Sequence, residues 1–341
     1  MTCFASRVVR LVLWVAALSF GHAGLAAAPL SGAIGPASLA PLVRAVAPVV
    51  VGISVSERPV PPLRAGGALA PISEAAGSGF IVSPDGMIAT NNHVITGANK
   101  ITVTLNDGRQ FSAKFIGSDD LTDIAIIKIA SPMPLPAAVW GDSAKMQVGD
   151  WILAAGNPFA LGNSFTAGIV SAEGRDIGDG PFDHFLQLDA PINPGNSGGP
   201  AFDMAGEVIG INTAIVSPSG GSVGIGFAIP SNTARLIVSE LIAHGAIARG
   251  WLGVTVADVA DAEGGAQVTA LEPGGPAERA GLSDADIVLD VNGAAVSGSA
   301  GLIRAIASVT PGIKVVLTVR RGSHIIEIPV VVDRRPAQLG G

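Results

Sequence analysis

From Pro48 to about Pro230 the chain reads as a series of short apolar runs separated by polar and turn-forming residues. The runs Val49–Val55, Gly79–Val82, Met87–Thr90, Ile101–Leu105, Gln110–Ile116, Ile124–Ile129, Trp151–Ala155, Thr166–Ala172, Phe185–Leu188, Val208–Val216 and Gly224–Ile229 have the length of β-strands. Pro84-Asp85-Gly86 and Asn106-Asp107-Gly108 supply hairpin turn chemistry between neighbours. Many antiparallel strands at this spacing predict barrels or a sandwich. Residues Glu57–Gly77, rich in Pro, Ala and Gly, read as an exposed loop that interrupts the series. One helix closes the region: Ser231 is placed as its N-cap, Leu236, Ile237, Leu241 and Ile242 recur at helical spacing, and Gly245 ends it. Beyond this boundary, Leu252–Val256, Ala266–Ala270, Asp286–Val291, Lys314–Arg320 and Ile325–Val332 predict a second, smaller β unit with a helix over Gly298–Ser308.

Composition agrees with this pattern and narrows the function classes. A chain of 341 residues suits about two domains. Only 14% of residues are charged, and 45 Gly and 24 Pro favour short strands and tight turns over long solvated helices. A net charge of −7 without any Lys/Arg run excludes a nucleic-acid partner. Arg7 and Arg10 precede the apolar run Leu11–Phe20, followed by small residues up to Ala28, which is the layout of a secretory signal peptide. Counted from Val8 to Leu30, the same stretch reads alternatively as an uncleaved anchor. Cys3, the single cysteine, lies in this leader, so the domains after it have no disulfide and no thiolate metal site. No clustered metal-ligand pattern or cofactor motif is present in the sequence.

The strongest chemical signal is Gly195-Asn196-Ser197-Gly198-Gly199-Pro200, where glycines leave a serine hydroxyl and the nearby backbone N–H groups accessible. The pattern also fits the nucleophile elbow of an α/β-hydrolase, but that fold requires its acid and histidine after the serine and a helix starting at it. Here Ala201–Val216 reads as β, and His244 and His324 sit in the closing helix and the second unit. His93 follows the run Met87–Thr90, and Asp123 opens the apolar run Ile124–Ile129. The order His, Asp, Ser is the chymotrypsin arrangement. A serine hydroxyl is a weak nucleophile until a neutral imidazole takes its proton. His93 is therefore the expected base, Asp123 its orienting carboxylate, Ser197 the nucleophile, and the N–H groups of Gly195 and Ser197 the expected oxyanion hole.

Thr90-Asn91-Asn92-His93-Val94, Asp123-Ile124-Ala125, Gly156-Asn157-Pro158-Phe159, Gly168-Ile169-Val170-Ser171, the serine loop, and Gly224-Ile225-Gly226-Phe227-Ala228-Ile229-Pro230 together resemble the successive signatures of HtrA/Deg proteases. The resemblance covers about residues 40 to 333. It implies a mainly β protein: a chymotrypsin-like double β-barrel of two six-stranded barrels, with His93 and Asp123 from the first and Ser197 from the second, then a small α+β PDZ domain. Gly250-Trp251-Leu252-Gly253-Val254 is similar to the PDZ loop and strand that receive a peptide C-terminus, which makes Trp251, Leu252, Gly253 and Val254 the expected peptide-binding residues. Pro276–Leu282 and Ile287–Gly293 resemble the rest of the PDZ pattern.

The implied organisation is a leader at 1–28, a protease domain at 29–247 and a PDZ domain at 248–336. The resemblance further implies a periplasmic homotrimer, soluble or tethered to the inner membrane, that cleaves unfolded or misfolded proteins and is regulated through the PDZ domain. Arg175, in the segment resembling the family's sensor loop, is the candidate coupling residue. A peptide-binding chaperone or scaffold with little proteolysis is the competing expectation. Two departures stand out. Leu188 replaces the usual threonine between Gln187 and Asp189, and is expected to reshape the substrate entrance; Ala285 replaces a glycine that often precedes the PDZ aspartate, and is expected to alter a turn.

Overall fold

The computed structural model describes residues 38–57, 74–157, 162–178, 180–193, 195–218, 220–259 and 264–336. The leader, most of the expected 57–77 loop, Pro158 and Phe159, and Pro194 lie outside the described residues.

A short helix α1 (Ala40–Val46) leads into β1 (Val50–Glu57), β2 (Glu74–Ile81), β3 (Met87–Asn91), the one-turn helix α2 (Asn92–Ile95), β4 (Ala98–Thr104), β5 (Gln110–Asp119) and β6 (Ile124–Ile129). These six strands close into a barrel in the order β1-β2-β3-β6-β5-β4. β7 (Trp151–Gly156), β8 (Ser164–Arg175), β9 (Phe185–Leu188), β10 (Pro200–Phe202), β11 (Val208–Ile215) and β12 (Gly226–Pro230) close a second barrel. Its order, β7-β8-β9-β12-β11-β10, repeats that of the first strand for strand.

β6 shows why its run is apolar at nearly every position. Ile124 and Ile126 join a core cluster with Phe202, Val208, Ile211 and Phe227 of the second barrel, while Ala125, Ile127 and Ile129 face Val51, Ile53, Ile81 and Val103 of the first. Alternate side chains of a strand point to opposite faces, and here both faces are core. Each fully buried isoleucine contributes about 1.5–3 kcal/mol over an exposed one. Helix α3 (Ser231–His244) sets Ala234, Val238 and Leu241 on the shared cluster at i, i+4 and i+7 and ends at Gly245 in the left-handed region, as the sequence predicts. Ser231 is the first helical residue and not the cap. Its hydroxyl donates to the Gly141 carbonyl at 2.9 Å and accepts the Ser143 N–H at 3.1 Å, so it serves a neighbouring loop instead of the helix N–H groups.

The second unit contains β13 (Gly250–Trp251), β14 (Val254–Asp258), β15 (Ala266–Leu271), α4 (Pro276–Ala280), β16 (Ile287–Val291), β17 (Ala294–Ala295), α5 (Ser299–Ala307), β18 (Lys314–Arg321), β19 (His324–Val331) and β20 (Asp333–Arg334). β14 is an edge of the sheet β14-β15-β16-β18-β19, and Val268, Val288, Leu302, Ile306, Leu317 and Val330 form its core. Ala285 sits at φ +65°, so the turn survives its departure from glycine at the steric cost that a Cβ brings there. Three arginines join this unit to the barrels. Arg249 pairs with the buried Asp119 at 2.7 Å and lies 4.6 Å over the Phe182 ring, Arg335 pairs with Asp120 at 2.7 Å, and Arg304 of α5 donates to the Pro181 carbonyl at 2.7 Å.

Candidate active site

The turn from β3 into α2 and the start of β6 lie side by side. Asp123, at φ +54°, turns its carbonyl toward α2, where it accepts from Asn91 Nδ2 at 2.8 Å and from the Asn92 N–H at 3.1 Å. Its carboxylate then faces His93. Oδ1 accepts the His93 backbone N–H at 2.9 Å, and Oδ2 lies 2.7 Å from His93 Nδ1. A carboxylate only accepts hydrogen bonds, so a proton lies on Nδ1, and in the neutral imidazole the lone pair is on Nε2. That is the tautomer a general base requires.

Ser197 comes from the tight loop before β10. Its Oγ donates to the Thr213 carbonyl at 3.3 Å, and Thr213 Oγ1 donates to Asp123 Oδ2 at 2.9 Å. The structure therefore puts His93 and Asp123 in direct contact and joins Ser197 to Asp123 through the single residue Thr213. Nothing in the local sequence of β11 marks Thr213; its position follows from the pairing of the barrels. The loop is closely packed. Gly198 has φ +83°, and a Cβ there would lie 2.3 Å from the Ser78 carbonyl oxygen and 2.3 Å from Thr90 Oγ1, which excludes every other residue type. Its N–H donates to the Asn212 carbonyl at 2.8 Å, and the Gly199 N–H to the Asn196 carbonyl at 3.0 Å. Gly195 is buried at φ +100°, and the peptide bearing its N–H is shared with Pro194, outside the described residues.

A cavity of about 250 Å³ borders Asp123 and Thr213 and is lined also by Leu121, Phe182, Phe185 and Ile229. Leu188, expected near the substrate entrance, is fully buried instead. It packs with Ile152, Val170, Ile192 and Ala228 in the second barrel, so its side chain acts on the core. Arg175 donates through Nε to Gln187 Oε1 at 2.9 Å, a contact within the second barrel.

In the second unit, Trp251 pairs with Asp333, Leu252 is buried, and Gly253 adopts φ +72° with the Trp251 ring 3.1 Å from where a Cβ would stand. The Leu252 and Gly253 carbonyls accept from Ala277 and Glu272 at 2.8 and 2.9 Å, which fixes the turn into β14. At the far end of β14, Asp258 Oδ1 accepts both the N–H and the hydroxyl of Ser299 at 2.7 Å, tying the strand to the start of α5. The Ser299 N–H, and then its hydroxyl, hold the Asp258 carboxyl below the ordinary aspartate value. Among the described residues no group of three or more His, Cys, Asp or Glu side chains could hold a metal ion.

Comparison with known proteins agrees with this arrangement. Residues 77–211 match the trypsin-like peptidase domain family, and residues 250–332 match the PDZ domain family. A probable periplasmic serine endoprotease, DegP-like, of Brucella suis is 50% identical over 276 residues, covering 78% of this chain and 54% of the relative. The chain thus spans about half the length of the curated relatives it matches. The solved HtrA-type protease AlgW with decapeptide is 38% identical with a TM-score of 0.74, over 88% of this chain and 99% of that one. The serine endoprotease from Yersinia pestis is 36% identical with a TM-score of 0.70, over 89% of this chain and 100% of that one. With two barrels of matching strand order, one PDZ domain after them and likeness along nearly the whole of these structures, the chain belongs to the HtrA-type serine protease family.

Proposed function

We propose that the chain is a serine endopeptidase of the periplasm that cleaves unfolded or mislocalised proteins through His93, Asp123 and Ser197, with activity governed by its PDZ domain. The observation that carries this reading is the shared carboxylate oxygen: Asp123 Oδ2 receives both His93 Nδ1 and the hydroxyl of Thr213, whose carbonyl receives Ser197 Oγ. As Ser197 Oγ attacks the substrate carbonyl, its proton passes to Nε2 of the His93 imidazole. Asp123 stabilises the imidazolium that forms. The tetrahedral oxyanion is met by the N–H groups of Ser197 and Gly195, and His93 then protonates the leaving amine. Water repeats the sequence to release the acyl group.

The PDZ domain takes a peptide C-terminus at Trp251–Val254, and the peptide extends along the edge of β14 by strand addition. Arg175, in the segment resembling the family's sensor loop, is the candidate for coupling peptide binding to the serine loop, and Arg304 and Arg249 contact Pro181 and Phe182 farther along the chain. A homotrimer and an inner-membrane tether are part of the same proposal, by likeness to the family. The test is covalent labelling by a fluorophosphonate together with cleavage of denatured casein. Ser197 should carry the label, and Ser197→Ala should abolish both activities. Cleavage that survives the substitution overturns the assignment, and holding of unfolded protein as the sole activity of the wild type would replace it with a chaperone.

A further inference from the structure

Ser78 lies on β2 in the first barrel and is fully buried, yet its polar groups serve the serine loop of the second barrel. Its backbone N–H donates to the Ser197 carbonyl at 2.9 Å, and its own carbonyl accepts the Thr90 hydroxyl at 2.7 Å. Its hydroxyl has two partners: the Asn157 N–H donates to it at 2.7 Å, and it donates to the Gly195 carbonyl. A serine hydroxyl has a single proton, and an amide N–H only donates. With Asn157 occupying a lone pair, the proton of Ser78 is directed at Gly195 by the chemistry of its partners.

The consequence falls on the loop. Peptide groups are planar, so a carbonyl held on one side turns the N–H of the following residue to the other. Ser78 turns the Gly195 carbonyl into the interior, the Gly199 N–H holds the Asn196 carbonyl at 3.0 Å, and the Asn196 N–H donates to the Asn193 carbonyl at 3.0 Å. The Gly199 contact orients the peptide that carries the Ser197 N–H, while the Ser78 and Asn193 contacts fix the Gly195–Asn196 peptide between the two expected donors. Packing leaves little slack: a Cβ on Gly156 would stand 2.9 Å from Ser78 Oγ and 2.4 Å from Asn196 Oδ1. Asn157 is itself anchored, donating through Nδ2 to Asn163 Oδ1 at 2.9 Å, and Asn163 donates to the Ala47 carbonyl at 2.8 Å.

We infer that Ser78 is a positioning residue for the oxyanion-binding loop: by fixing the Gly195–Asn196 peptide, its hydroxyl anchors the stretch of backbone that lies between the Gly195 and Ser197 N–H donors. The inference rests on the serine-protease reading above. The experiment compares Ser78→Ala and the near-isosteric weak donor Ser78→Cys with wild type in the full chain. The readouts are kcat, KM and inhibition by a peptide boronate, normalised by fluorophosphonate titration of active sites. Ser231→Ala is the control, because Ser231 is equally buried and makes the same pair of bonds, one donated and one accepted, away from the loop.

Losing an oxyanion donor outright costs about 10²–10³ in rate, so misaiming one should lower kcat by about 10- to 100-fold. KM should stay within about twofold, and boronate affinity should fall with kcat. Both Ser78 variants should behave this way, while the control loses only stability. Unchanged kcat and boronate affinity in the titrated Ser78 variants, or an equal loss in the control, overturns the inference. Activity surviving in Ser197→Ala would instead overturn the protease reading beneath it.

Discussion

The hydroxyl of Thr213 donates to Asp123 Oδ2 at 2.9 Å, so the carboxylate oxygen that orients His93 from the first barrel is also held from the second. A hydrogen bond to a charged group contributes about 1.5–3 kcal/mol. Part of that stabilisation orients the imidazole. Thr213→Ala should lower kcat by about tenfold, by the same magnitude, with KM little changed. Thr213→Ser, which keeps the hydroxyl, should restore most of it. Steady-state kinetics on a peptide substrate checks both, and an inactive serine variant beside an active alanine variant would contradict the role.

Asp123→Asn leaves the shape of the site but turns an amide N–H or a weaker acceptor toward His93 Nδ1. The favoured tautomer then places the proton on Nε2, where the base must be free, and a loss of about 10⁴ in kcat is expected. Labelling by fluorophosphonate should slow in parallel, because it depends on the same proton transfer. Labelling at the wild-type rate would show that Asp123 does not act through the imidazole.

Arg249 and Asp119 form a largely buried pair in which Asp119 also accepts the Thr122 hydroxyl at 2.6 Å. Removing one partner of such a pair strands the other charge and typically costs about 3–5 kcal/mol. Arg249→Ala should therefore lower unfolding stability by about that amount. The double variant Arg249→Met with Asp119→Asn should lose less than the single one. Denaturant unfolding measures both, and a single variant as stable as wild type would refute the expectation.

Burial pushes the Asp286 carboxyl up, but the Arg321 guanidinium and the Ser283 N–H outweigh it and hold the group below the ordinary aspartate value. In the unfolded chain it titrates near about 3.9. A group made more acidic by folding contributes its stabilisation above the unfolded value and loses it as pH falls through the lower folded one. The stability gap between wild type and Asp286→Asn should thus be full at pH 6 and shrink below about pH 4. Denaturant unfolding at a series of pH values measures it, and a gap constant down to pH 2 would be the contrary result.

Periodicity located most strands within a few residues and β6 and β9 at their observed ends; for β6, burial on both faces leaves a continuous apolar signal. The short elements escaped it. α2 has four residues and α4 has five, too few for any period to show, and each is held by its neighbours in space; β10 is legible only as part of the β reading of Ala201–Val216, which does not divide it from β11. The Pro, Ala and Gly content of Glu57–Gly77 predicts loop throughout, yet Glu74–Gly77 is the start of β2, with Ala76 opposite Ser54 and Gly77 opposite Ile53. Local sequence suits Leu188 to the substrate entrance and Ser231 to a helix cap, and the folded chain uses both elsewhere.

The residue types, their order and the punctuation of glycine and proline by themselves determined the class of fold, the two-unit organisation and the choice of His93, Asp123 and Ser197 as candidates. Those properties are local, or depend only on position along the chain. Tertiary structure alone decided that Thr213 bridges the carboxylate and the serine loop, that Ser78 reaches from one barrel into the other, and that Arg249 closes over Asp119. Each of these bonds joins residues between 90 and 130 positions apart. Hydrogen bonding depends on distance in space, and only the packing of the two barrels against each other, and of the segment after α3 against the first, sets that distance.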